Sequence, residues 1–589
     1  MFKQNRGAPG VLAGFVLILS MATASALAIE CTTPKPYAGQ RSEFRISGVA
    51  EAANPYDPDD IAVDVRFSPP AGETLTLPAF WYQPYSRVLR DGKEMLVQDG
   101  AAEWRVRYTP LEPGEHRFAV QQTRDGAIAV LEEGILAVQA GKKKSHGFVR
   151  IEPQDQRFFQ FEDGTPLPLV GENACWFGAR GTYDYDDWFS EFAQAGMNYT
   201  RLWMWPHAFG VEVLDGQRVQ YNQSQAWKLD YVLDLAAEKG IVVMLCLDYH
   251  GIFQVEPDMW GGNNYWPQHP YHARNGGPCT TQNDFFTKPE ASQLYRKRLR
   301  YLVGRYAACT NLMSWQFFNE ISNVYKYLEA NQVSRWHDET AHWLRNIDPY
   351  KHLITTSFGS AHDGRGMWKL ERLDYAQYHL YLNWAGGAKH PAAAISNIAA
   401  RLYRRYRKPM YVSEYSTDGR GFARENDPYF RGLRQGLWGG LLGGSAGTAM
   451  QWWWEQIHAE NLYPLYASIS RFLDATGFGA AGWHPAKTET PDAGVLVYAM
   501  AQGSNALAYL LDPRYEYPQG NVDEAQSLEG ASCVLTNFPE GPYAVTWWDV
   551  ARGRVIEETQ AAAKNGELRL APPVFAVDIA ARIRRAAAP

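Results

Sequence analysis

The chain is poor in cysteine, with six in 589 residues, too few for a scaffold stapled by disulfides. Cys175 and Cys246 lie inside apolar runs and read as buried thiols. Cys279, in a long loop, and Cys309, at a helix end, could pair. No Cys-x-x-Cys or His-x-x-x-His spacing occurs, so the sequence offers no support for a metal centre, and no cofactor motif is evident. Charge of one sign is also missing: 57 basic against 64 acidic residues leave a net charge of -7. That balance gives no electrostatic reason to expect nucleic acid or anionic lipid as a partner.

Long apolar runs are missing too. Val11 to Met21 is apolar but too short to span a membrane comfortably. It follows Lys3 and Arg6 and precedes Ala24-Ser-Ala26 and Ala26-Leu-Ala28, either of which suits a signal peptidase. Residues 1–28 therefore read as a signal peptide. Ala28-Ile29-Glu30 before Cys31 lacks the small residues of a lipoprotein site. The mature chain is expected to be exported, periplasmic or extracellular, and free of the membrane once the signal is removed. No repeat or low-complexity tract occurs in it, and nothing in the sequence speaks to oligomeric state.

Aromatic residues, by contrast, are abundant, with 21 Trp and 34 Tyr. Most serve cores, but sugars stack their C–H faces on such rings, so the excess favours a carbohydrate ligand.

The length requires several domains. Residues 38–145 carry short alternating runs, such as Ile61–Phe67 and Glu103–Tyr108, separated by turns such as Asp91-Gly92. This is the pattern of an N-terminal β-sandwich with one wet face. The Lys142-Lys-Lys144 run reads as a solvated linker. From 146 to 476 strand and helix patterns alternate. Strands are expected at 169–176, 197–205, 241–248, 312–320, 352–357, 375–381, 409–415 and 446–454, with the fifth helix the weakest. Eight βα units imply a (β/α)8 TIM barrel. Residues 478–585 return to short β runs, and a second small sandwich is expected. The fold class is thus multidomain, a central barrel between two small all-β domains.

In such barrels the chemistry sits at the C-terminal strand ends. Those ends supply Glu172, Asn173 and Trp176; Arg201, Trp203 and Trp205; Asp248 and His250; Asn319 and Glu320; His379 and Tyr381; Glu414 and Tyr415; and Trp452 with Trp454. Strand five offers little beyond Ser357. An Arg or His at one strand end can serve a local hydrogen-bond network, and a Glu can serve an ion pair. Seven ends converging on carboxylates, imidazoles, an Arg and indoles argue for a site. Strand four is the most telling, because an apolar run that stops on Asn319-Glu320 gives the core nothing it needs.

On these motifs the chain resembles the retaining clan A glycoside hydrolases, nearest to the cellulase and mannanase types. They are Asn198-Tyr-Thr-Arg201, Asp248-Tyr-His250, Asn319-Glu320, His379-Leu-Tyr381, Glu414 and a strand-eight Trp. The flanking domains are similar to ones found around certain bacterial barrels, the C-terminal one to a type described as collagen-binding. The resemblance implies Glu320 as acid/base and Glu414 as nucleophile, with no cofactor. It implies that Arg201 keeps Glu414 ionised and that Tyr381 donates to it. Asn319 would hold the sugar 2-OH, while His250 and His379 would bind hydroxyls or tune Glu320. Trp452 or Trp454 would form a stacking floor, the two sharing a face by strand alternation, with Trp453 on the other face. Trp176 and Trp205 would line the site, and Glu172 would cap the first loop or bind a hydroxyl. The loop 251–283, with Trp260, Tyr265 and Trp266, is expected to wall the substrate. The activity implied is cleavage of a poly- or oligosaccharide by double displacement. A transglycosylase with the same residues, or a non-catalytic carbohydrate-binding or adhesive protein on the same scaffold, are the alternatives.

Overall fold

The computed structural model describes residues 29–586 apart from 34, 142–144, 213–218, 259–261, 330, 364, 385–388, 422–426, 428, 492–493 and 517–525. The expected signal peptide, the Lys142–Lys144 run and Trp260 lie outside the described residues.

At the N-terminal end two four-stranded antiparallel sheets form. One joins Ile29–Cys31, Ser42–Ile46, Glu103–Tyr108 and Phe80–Tyr82, and the other Ala127–Val138, Gly114–Arg124, Ala62–Ser68 and Leu75–Pro78. Alternation decides their inner faces: Val63, Val65 and Phe67 are buried, while Asp64 and Arg66 between them are not. Phe67 of one sheet stacks on Tyr108 of the other with ring centroids 4.0 Å apart.

The barrel follows. Strands one to five (Gly171–Asn173, Tyr199–Trp203, Val242–Tyr249, Leu312–Asn319 and Leu353–Thr355) hydrogen-bond in parallel, in chain order. The chain of strand five resumes at Ser357–Phe358 and pairs with strand six, Ala376–Tyr381, which pairs with strand seven, Met410–Ser416. Strand eight is no regular strand, yet it closes the ring. Ala446 N donates to Met410 O at 2.8 Å, and Thr448 N donates to Leu169 O at 2.9 Å. All eight residues of strand four are buried, as a parallel strand covered on both faces requires. The fifth helix is only a 3-10 turn, Met367–Lys369. The hairpin Val149–Ile151/Phe159–Phe161 plugs the bottom together with Leu167, Met244, Met313 and Tyr411.

At the C-terminal end nine strands join in one antiparallel order, rather than in two separately bonded sheets. They dock on the last barrel helices through Trp438 against Tyr509 and Phe472 against Trp548.

The N-terminal sheets dock on the helices Gln223–Glu238 and Pro289–Tyr306 through buried charge. Asp230 accepts from Arg107 at 2.5 Å and from Arg305 at 2.6 Å. Burial pushes the Asp230 carboxyl up, but the two guanidiniums outweigh it and bring it down to about 2. A depressed carboxylate stabilises fully above its ordinary value of 3.8, and this contribution is lost as the pH falls through about 2. Replacing Asp230 by Ala strands two buried cations. An expected loss of about 3 kcal/mol of unfolding free energy, read by urea titration at neutral pH, follows.

Candidate active site

Strand alternation aims Arg201, Trp203 and Trp205 into the barrel mouth and turns Leu202 outward into the helix layer. The Arg201 guanidinium is fully buried, and every branch of it is used. Nη1 donates to Glu414 Oε1 at 2.7 Å, Nη2 to Asn319 Oδ1 at 2.6 Å, and Nε to Gln316 Oε1 at 2.9 Å. One cation therefore ties strands two, four and seven together and fixes the fork geometry around one carboxylate. The second Glu414 oxygen accepts from the Tyr381 hydroxyl at 2.9 Å and faces His379 Nδ1 at 3.1 Å.

Glu320 follows strand four in the left-handed backbone region, at φ 49° and ψ 47°. For a residue with a Cβ this costs of order 1 kcal/mol or more, so the surroundings must hold it. The Ser357 hydroxyl does so. Its oxygen accepts from Glu320 N at 3.1 Å and from Gln316 Nε2 at 2.9 Å, and it donates to Asn319 Oδ1 at 3.2 Å. The turn swings the Glu320 carboxyl inward, where Oε1 meets His379 Nδ1 at 2.7 Å and Oε2 accepts from Asn323 Nδ2 at 2.8 Å. His250 Nδ1 lies 3.6 Å from Oε2.

Burial pushes the Glu320 carboxyl up, but His379, then His250 and Arg201, outweigh it and bring it down to about 2. Burial pushes His379 down, and Glu414 and Glu320 more than reverse this, so its imidazole is raised. The two groups titrate as a pair, with the proton placed on the imidazole side. Facing oxygens of Glu320 and Glu414 and Nδ1 of His379 all lie within 4.8 Å of one another. That spacing would also admit a cation. However, Nδ1 needs its proton for the hydrogen bonds it makes to the carboxylates, and a protonated nitrogen is no ligand.

Asn319, Glu320, Tyr381 and Glu414 line a pocket of about 290 Å3 with Trp176, Trp205, Tyr249, His250, Trp384, Trp452 and Trp453, and Arg201 and His379 lie buried behind the two carboxylates. Of the sequence-derived site residues, Arg201, Asn319, Glu320, Glu414, His250, His379, Tyr381, Trp176, Trp205 and Trp452 thus come together at the mouth.

Two do not. Glu172 is fully buried on the outward side of strand one, facing the Tyr466 hydroxyl of helix Tyr463–Leu473. On so short a strand Gly171 and Asn173 take the inner face, and burial raises the Glu172 carboxyl well above its ordinary range. It is a core carboxyl and does not line this pocket. Trp454 is buried as the first residue of helix Trp454–Ala459, edge-on to Trp176 at 4.9 Å. The chain leaves the extended conformation at Trp453 (φ -92°, ψ 62°), so alternation fails there. Trp453 lines the pocket instead, its Nε1 donating to Asp418 O at 3.1 Å.

The loop 251–283 is mainly packing. Trp266 is buried against Phe253, and Tyr265 bonds His207 away from the carboxylates, so Asn263 is its pocket residue among those described. Cys279 and Cys309 are free thiols, the latter accepting from Arg41 Nη1 at 3.1 Å.

Trp203 and Ser357, which the sequence places at strand ends without a role, prove to be a lining residue and a partner of Glu320. Sequence reasoning missed Tyr249, Asn263 and Trp384 as lining residues and Asn323 as a partner of Glu320, and it set Trp453 on the wrong face.

A (β/α)8 barrel carrying two Glu on strands four and seven around a buried Arg defines a clan A glycoside hydrolase. Residues 161–435 match the cellulase model, glycosyl hydrolase family 5, and residues 37–123 a domain of unknown function, DUF5060. Over those residues the barrel is of the clan A, cellulase- and mannanase-like kind, and the chain is an enzyme acting on O-glycosyl bonds. Mannan endo-1,4-beta-mannosidase 4 of Solanum lycopersicum is 22% identical over 345 residues, covering 50% of this chain and 82% of its own. Mannan endo-1,4-beta-mannosidase 3 of Oryza sativa is 24% identical over 259 residues, 42% of this chain and 52% of its own. The chain thus spans about half of the rice relative. A provisionally assigned glycoside hydrolase from Bacteroides vulgatus shares the fold, with a TM-score of 0.60 at 16% identity over 94% of this chain and 100% of that one.

Proposed function

We propose that this is an exported hydrolase that cleaves β-1,4-linked mannan or a related β-linked polysaccharide by double displacement. The observation that carries the mechanism is the spacing of the carboxylates: their facing oxygens lie within 4.8 Å, through one shared imidazole. Retaining enzymes hold the two groups about 5–5.5 Å apart, whereas inverting ones leave room for water at about 6.5–9.5 Å.

Glu414, held in place by Arg201 and Tyr381, attacks the anomeric carbon. The proton shared by Glu320 and His379 passes through Glu320 to the leaving oxygen, so the glycosidic bond breaks as the Glu414 ester forms. Water deprotonated by Glu320 then cleaves that ester. Asn319, oriented by Arg201, binds the 2-OH, and Trp452 and Trp453 flank the sugar. The mannanase relatives support the substrate class. The apolar run at Val11–Met21 behind Lys3 and Arg6 supports export. The two facing sheets at the N-terminal end support reading 38–145 as a sandwich, which with the continuous C-terminal sheet of 478–585 braces the barrel 146–476.

Incubation with β-1,4-mannan, glucomannan and soluble cellulose, with the first-formed anomer followed by NMR, tests the reading. Release of β-anomers from mannan is expected. Initial release of α-anomers would refute double displacement, turnover of cellulose alone would move the substrate from mannan to β-glucan, and turnover of none of the three would refute the substrate class.

A further inference from the structure

The pocket contains a buried indole donor that the mechanism does not use. Trp203 ends strand two, is 5% exposed, and lines the pocket together with Glu414 and Trp452. Its Nε1 is buried and meets no acceptor in the protein. Two other indoles on the wall are spent: Trp205 Nε1 donates to Tyr249 Oη at 3.0 Å and Trp453 Nε1 to Asp418 O. Trp454 Nε1 also meets no acceptor, but it does not line the pocket. Buried polar groups nearly always find a partner, and a buried indole N–H usually does.

The Trp203 ring is also held in place. The Arg201 guanidinium lies 4.9 Å from its centroid, Trp452 packs at 5.2 Å, and Trp176 at 5.5 Å. The cation that holds Glu414 therefore also packs against the indole.

We propose that the Trp203 indole N–H donates to a hydroxyl oxygen of the neutral sugar seated over Glu414, making Trp203 a specificity-determining residue for the glycone. This rests on the reading of Glu320 and Glu414 as the catalytic pair. A neutral donor on a rigid aromatic fits a hydroxyl, which presents lone pairs without charge. Stacking alone would be served by a phenyl ring. A site that spends a buried donor on one hydroxyl discriminates against the sugar that lacks it, because the donor is then left unpaired.

The test replaces Trp203 by β-(3-benzothienyl)alanine, which keeps the bicycle and exchanges N–H for sulfur, with Trp203→Phe as a second variant. Each is assayed on the aryl β-glycoside the parent cleaves and on its 2-, 3-, 4- and 6-deoxy forms, with thermal unfolding followed alongside. The benzothienyl variant should unfold at the parent's temperature. It should lose about tenfold in kcat/KM on the parent glycoside and on three deoxy forms, and nothing on the fourth. Trp203→Phe should lose at least as much on the parent glycoside and the least on that same fourth form. No loss on any substrate, or one equal loss on all, overturns the contact while leaving the catalytic pair standing. A parent that cleaves no β-glycoside, or one whose Glu320 and Glu414 variants cleave at the parent rate, overturns the catalytic reading and the contact with it.

Discussion

Glu414→Ala should abolish turnover, by about 10^4-fold or more in kcat, while leaving the fold intact, and azide should restore part of it. The size follows from the role. Without the carboxylate there is no covalent intermediate, and single deletions from a catalytic unit cost about as much as losing the whole unit. The hole left behind is bordered by Arg201 Nη1, the Tyr381 hydroxyl and His379 Nδ1, all donors that faced the missing oxygens. A small anion can lodge there and attack the anomeric carbon from the face Glu414 used. With one displacement instead of two, the product is the inverted α-glycosyl azide, identified by NMR. A rescued product of retained configuration would remove Glu414 from the nucleophile's role.

That Glu414 belongs opposite Glu320 was readable from order alone. A parallel barrel is built of strands in chain order, so an Asn-Glu at strand four and a Glu at strand seven must meet across one mouth. Long buried strands kept the period on which this reading depends, as in Leu312–Asn319. Where extended backbone is brief, the reading lost its footing. Glu172 sits on a three-residue strand and faces outward to Tyr466, and Trp454 opens a helix where alternation assumed extended strand. Partners contributed by strand five and by the turn after Glu320 were illegible for a different reason. Ser357 and Asn323 are ordinary polar residues until the left-handed turn at Glu320 brings the carboxyl and its backbone N–H to them. No periodicity encodes a positive φ on a glutamate.

Glu320→Gln should separate substrates by their leaving groups. On the polysaccharide, whose leaving alkoxide needs a proton, kcat/KM should fall by about 10^2 to 10^4, the usual worth of general acid catalysis. On a dinitrophenyl glycoside, which leaves without help, bond cleavage should be nearly unimpaired, and the glycosyl-enzyme should accumulate because its hydrolysis lacks a base. The pH profile locates the proton. In the parent it resides on the Glu320–His379 pair, and the raised imidazole puts the alkaline limb of kcat/KM above the ordinary His value of 6.5. His379→Asn removes the imidazole, so the proton must sit on the Glu320 carboxyl itself. There burial pushes up while His250 and Arg201 pull down. A carboxyl so balanced releases its proton at lower pH than the raised imidazole does, and the alkaline limb should move downward. A limb that stays in place, measured on the polysaccharide with both variants folded, would mean that the delivered proton never belonged to the pair.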